Sequence, residues 1–101
     1  MSVHISQIAI PFQSIKEICE RYHVRQMILF GSVLRNDFSE NSDIDILVDF
    51  DPEFEMGYIR FYTLQQELSD RFGRQVDLMP KSGLKPIFWE RVKANLQVIY
   101  E

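Results

Sequence analysis

Cysteine is nearly missing from this chain: Cys19 stands alone. An internal disulfide is excluded, and so is a zinc site built on several cysteines. Histidine is scarce as well, and His4 and His23 form no partner pattern. Positive charge is in the minority, with 11 Lys and Arg against 15 Asp and Glu for a net charge of −4. A broad cationic face for nonspecific nucleic-acid binding works by neutralising phosphates, so no direct nucleic-acid contact is expected. Long apolar runs are missing too. Met27–Phe30 is typical of the longest, far short of a membrane span. Met1–Ile5 lacks the charged-then-apolar order of a signal peptide. The chain also has no internal repeat, no low-complexity stretch and no Pro/Gly/Ser-rich linker. What remains is 101 residues with 46% hydrophobic content. That reads as one domain over residues 1–101, able to bury its own core and expected to be soluble and cytoplasmic.

The hydrophobic pattern alternates between two periods. Ile15, Ile18, Cys19 and Tyr22 recur at helical spacing, so 12–22 is predicted as an amphipathic helix, with Pro11 suited to its first turn. The run 24–30 reads as a strand stopped by Gly31, and 33–38 as a short helix opened by Ser32. Residues 43–50 form a second strand, with Ile44, Ile46, Val48 and Phe50 on the core face and Asp43 and Asp45 on the other. A helix is predicted over 58–72, its stripe made of Tyr58, Phe61, Tyr62, Leu64, Leu68 and Phe72 and its stop at Gly73. Residues 75–79 read as a third strand, 84–96 as a helix and 97–100 as a short last strand. The expected fold is α/β: a small mixed sheet with helices packed on one face.

Three features carry chemistry. Gly31-Ser32 ends the first strand, where glycine allows close backbone approach and a helix start offers N–H groups to a phosphate. Taken alone, an ordinary turn explains that pair as well. Asp43 and Asp45 are alternate residues of one strand, so their like charges repel unless a cation sits between them. A hard divalent ion such as Mg²⁺ answers that need, and a charged edge strand is the plainer account. Asp77 interrupts the apolar Val76–Leu78 run. Placed beside the second strand, it would project from the same face and make three carboxylates, a set able to hold one or two ions for phosphoryl-type transfer. Ten residues separate Ser32 from Asp43. Antiparallel pairing of the first two strands would bring the turn and the carboxylates together.

The pattern Gly31-Ser32, ten residues, Asp43-Ile44-Asp45-Ile46-Leu47-Val48 resembles the signature of the DNA polymerase β-like nucleotidyltransferase superfamily. The short chain and the Ser42–Val48 stretch are similar to its minimal nucleotidyltransferase (MNT) domain proteins. The resemblance implies a nucleotidyltransferase core in which Gly31, Ser32 and Arg35 hold the triphosphate. It assigns Asp43, Asp45 and Asp77 to catalysis and to Mg²⁺, with ATP as substrate. Asn36 stands where many relatives have glycine. The implied partner is a HEPN-domain toxin in a hetero-oligomer, adenylylated on a hydroxyl, tyrosine in particular, and thereby silenced. Two other functions are compatible with the residues: an antitoxin that occludes its toxin without catalysis, and a nucleotidyltransferase acting on a small molecule of the aminoglycoside kind.

The remaining residues have structural explanations. Cys19, Met27 and Met79 read as packing, Asp49–Glu55 as a solvated acidic turn, and Lys81, Lys85, Arg91 and Lys93 as helix-surface charge. Phe88 and Trp89 are helix neighbours facing different ways, and one of them is expected at a surface.

Overall fold

The computed structural model describes residues 9–31 and 43–101. Its elements are α1 (Phe12–Arg21), β1 (Val24–Phe30), β2 (Ile44–Phe50), α2 (Tyr58–Phe72), β3 (Val76–Pro80), a 3₁₀ turn (Lys81–Gly83), α3 (Pro86–Val92) and β4 (Leu96–Tyr100). The short helix expected at 33–38 lies outside the described residues.

Apolar periodicity explains the two longer helices. Ile15, Ile18 and Cys19 of α1 are fully or almost fully buried, as are Leu64 and Leu68 of α2. Burial pushes the Cys19 thiol up to about 12, with the charge of Glu20 adding to the shift, so Cys19 is an inert core group. Two left-handed residues end these helices. His23 takes φ 60° directly before β1 and stacks on Phe54 with ring centroids 3.6 Å apart. Gly73 takes φ 73°, and its N–H donates to the Ser69 carbonyl at 2.9 Å.

The sheet has the order β3-β2-β1-β4. β1 pairs antiparallel with β2 and with β4, while β2 and β3 run parallel across the α2 crossover. The main core lies on one face, where α1 and α2 cover Met27, Leu29, Ile44, Ile46, Val48, Val76 and Ile99. The opposite face is also buried at its centre. Ile28, Phe30 and Leu47 form a second cluster there beneath Phe88, Trp89 and Val92 of α3, and Phe30 meets Phe88 edge-to-face at 6.2 Å. Helices on one face is thus right for the two longer helices, and the short α3 lies over the other face. Phe88 and Trp89 both pack against this second cluster.

Two expectations are corrected. The helix predicted over 84–96 contracts to Pro86–Val92, because the chain turns at Asn95, whose N–H donates to the Val92 carbonyl at 3.0 Å. Leu96 is then free to pair with Phe30 in β4. The predicted stripe of α2 is buried at Leu64 and Leu68 and partly buried at Phe61 and Phe72, while Tyr58 is 96% exposed and Tyr62 61%.

The β3 edge is closed by side chains. Val76 N–H donates to Ser69 Oγ and Leu78 N–H to Gln65 Oε1, both at 3.0 Å. Pro80 has no N–H to offer. An edge with its donors used up is a poor template for another strand. Among the described residues no helix is long and apolar enough to cross a membrane.

Glu67 ties α1 to α2. It accepts hydrogen bonds from the Tyr22 hydroxyl and from Arg21 Nη1, the latter at 2.6 Å. Those two donors, the hydroxyl first, hold its carboxyl below the usual carboxylate range. A depressed folded-state pKa contributes stability that is complete above the unfolded value and is lost as pH falls through the folded one. The wild type should therefore be more stable than Glu67→Gln near neutrality. The two should converge as pH falls through and below the ordinary carboxylate range, a change that urea titrations at stepped pH would record.

Candidate active site

The antiparallel register of β1 and β2 sets the geometry. Phe30 pairs with Asp45, so Gly31, the next residue, arrives beside the Asp45 side chain. Gly31 takes φ 80°, a conformation costly for any residue with a Cβ. A Cβ at this position would overlap Asp45 Oδ2 and lie 3.3 Å from Asp45 Cγ. Glycine is thus favoured here by backbone angle, and any Cβ would also push the Asp45 carboxylate aside.

On its other side Asp45 pairs with Asp77 in the parallel register of β2 and β3. Neighbouring strands are about 4.8 Å apart, so Gly31, Asp45 and Asp77 make a row across three strands. Asp45 alternates with the core-facing Ile44 and Ile46, and Asp77 with Val76 and Leu78. Both carboxylates therefore belong to the face that α3 partly covers. Asp45 is half-buried and Asp77 exposed. Two residues along β2 on this face, Leu47 is completely buried. The carboxylates thus stand at the margin of a dry patch, where charge interacts more strongly than in open water. Asp43 lies exposed just ahead of β2, where Ile44 N–H donates to the Gln75 carbonyl at 2.9 Å.

The structure therefore brings Gly31, Asp45 and Asp77 together, with Asp43 two residues from Asp45. Ser32 and Arg35 lie outside the described residues. Among those described, no three His, Cys, Asp or Glu side chains converge closely enough to hold one metal ion. The donor type suits a hard divalent cation, since all three candidates offer carboxylate oxygen.

Two features escaped the sequence reading. Lys81 Nζ donates to Gln26 Oε1 at 3.1 Å and sits 5.2 Å from the Trp89 ring centroid, so it is a packed group as well as a surface charge. Met79, expected in the core, is 36% exposed on the face that carries Asp77. A cavity of about 590 Å³ also exists, lined by Phe50, Phe54, Met56 and Phe61 among others. It sits toward the Phe50 end of β2.

A sheet whose first strand delivers a glycine to a carboxylate on the second, with another carboxylate on the third, has the layout of a nucleotidyl-transfer core. The nucleotidyltransferase domain family matches residues 13–98, and the chain belongs to that family. It is 44% identical over 70 residues to the protein adenylyltransferase MntA of Thermococcus cleftensis, an alignment covering 69% of each chain. Two solved structures share the fold. One is a toxin–antitoxin crystal structure with AMP-PNP, at 22% identity and TM-score 0.72, covering 90% of this chain and 73% of that one. The other is a tri-AMPylated Shewanella oneidensis HEPN toxin in complex with an MNT antitoxin, at 21% identity and TM-score 0.63, covering 88% and 68%.

Gly31 and Gly73 provide a matched comparison, since both have positive φ but nothing stands within 4 Å of a Cβ at Gly73. Gly73→Ala should cost about 1–2 kcal/mol, the strain of a left-handed backbone alone. Gly31→Ala should cost more, because the Asp45 carboxylate must also move. Chemical denaturation of the two variants side by side measures the difference.

Proposed function

We propose that this chain transfers AMP from ATP to a hydroxyl, most simply a tyrosine hydroxyl, of a HEPN-domain toxin, and so acts as its antitoxin. Residues 1–101 are read as one minimal nucleotidyltransferase domain. The observation that carries the proposal is the row of Gly31, Asp45 and Asp77 on a single sheet face. The likeness to a named protein adenylyltransferase and to a complex with an AMPylated toxin supports the choice of a protein acceptor.

In this reading Gly31 and Ser32 cradle the triphosphate through backbone N–H groups, with Arg35 against a phosphate oxygen. Asp43, Asp45 and Asp77 would hold Mg²⁺, which when bound offsets phosphate charge. Asp77, on the outermost strand, orients the acceptor hydroxyl and takes its proton. The hydroxyl oxygen bonds to the α-phosphorus as the bond to the bridging oxygen breaks, and pyrophosphate leaves. Catalysis here is mostly positioning, which is worth about 7–11 kcal/mol of barrier. The partner would present the acceptor hydroxyl to this site. In the cell the pair would be cytoplasmic.

Intact-mass spectrometry of the toxin after incubation with ATP and Mg²⁺ should find the mass of AMP added to a hydroxyl side chain. Asp43→Asn and Asp45→Asn should each reduce transfer about a thousandfold or more, the scale of several kcal/mol of lost charge stabilisation. Asp43→Asn should not lower the melting temperature, because it removes one of several neighbouring like charges. Chelation of divalent ions should abolish transfer, and Mg²⁺ should restore it. A toxin that is inhibited without gaining mass would replace this reading with occlusion.

A further inference from the structure

The row of Gly31, Asp45 and Asp77 gives the site a direction. Phosphates belong at the glycine end, so a hydroxyl attacking in line enters from the opposite side, past Asp77. β3 is the last strand on that side. Its edge is closed to strand addition by Ser69 and Gln65, which accept from Val76 and Leu78. An incoming polypeptide must therefore lie across the sheet face.

That face has a place to receive it. Two residues beyond Asp77, Met79 joins Gly83, Leu84, Lys85, Ile87 and Phe88 in lining a groove of about 360 Å³. A strand rises about 3.3 Å per residue, so Met79 is about 7 Å from Asp77, within one or two residues of extended chain. Leu84 and Phe88 are anchored in the second apolar cluster, which makes the inner wall firm. Ile87 is 67% exposed, a large apolar side chain at the open rim with nothing described covering it. Lys85 makes no ion pair among the described residues. Nearby Lys81 is already engaged with Gln26 and Trp89. The groove thus offers apolar walls and, among the described residues, a lysine without an ion pair at its rim.

We propose that this groove seats the acceptor segment of the partner protein: an apolar side chain against Met79, Ile87 and Phe88, and a carboxylate of the same segment against Lys85. This rests on the protein-acceptor reading above and names the surface that selects the acceptor. Ile87 and Lys85 are then specificity-determining residues, and neither touches the nucleotide.

The test uses Ile87→Glu, Lys85→Glu and Lys85→Arg in the full chain, with purified HEPN-domain toxin as acceptor. Both Glu variants should raise KM for the toxin about tenfold or more, the scale of one lost aliphatic contact or charge pair. Lys85→Arg should stay near wild type. Calorimetry with a non-hydrolysable ATP analogue and Mg²⁺ should find nucleotide affinity unchanged in all three. An unchanged KM in Ile87→Glu overturns the proposal. So does a loss of nucleotide affinity in Lys85→Glu without a rise in KM, which would make Lys85 a nucleotide ligand. If the wild type transfers no AMP, the underlying reading fails by itself, and the groove is judged by toxin affinity. Tenfold weaker binding by Ile87→Glu still supports it, and equal binding overturns it.

Discussion

Strand β2 is paired on both sides, and burial sets its register against both neighbours. Ile44, Ile46 and Val48 are shut into the main core and Leu47 into the second cluster. A slip of one residue would exchange these sets and drive Asp45 into the α1–α2 core. The energetic cost of burying an unpaired carboxylate forbids that. The same register that satisfies the core places Asp45 between Phe30 and Asp77, and so sets Gly31 beside a carboxylate. Site geometry and core packing are therefore one constraint.

The polar side chains of α2 serve the sheet as well as the solvent. Ser69 and Gln65 complete the backbone hydrogen bonding of β3, and Glu67 ties the helix to α1 through Tyr22 and Arg21. One consequence is a closed edge next to Asp77. Another is a division of the surface. The exposed aromatic side chains Tyr58 and Tyr62 lie at the start of α2, near the end of β2 that is remote from the carboxylates. The groove of Met79 and Ile87 lies on the face that carries Asp77.

Much was legible in the sequence because it depended on local pattern. Helical spacing marked α1, and the bounds of α2 follow from its apolar repeat and from Gly73. Period-two alternation separated Ile44 and Ile46 from Asp45, and Val76 and Leu78 from Asp77. The spacing of Gly31-Ser32 to Asp43-Ile44-Asp45 carried the resemblance to the family, and the antiparallel pairing of β1 with β2 is what brings Gly31 to Asp45. The extent of α3 was not legible. Leu96 suits a helix or a strand equally by composition, and its pairing with Phe30, distant in sequence, decided the matter.

The sequence by itself determined the two faces of β2 and β3, the presence of α1 and α2 and which side chains carry the charge, since these follow from side-chain periodicity and composition. Only the tertiary structure decided which of them meet. The parallel pairing of β2 with β3, which sets Asp45 beside Asp77, depends on α2 packing back over the sheet. The exposure of Met79 and Ile87 depends on how far α3 reaches across the opposite face. Both are contacts between segments far apart in the chain, and their energies exist only once the whole core has closed.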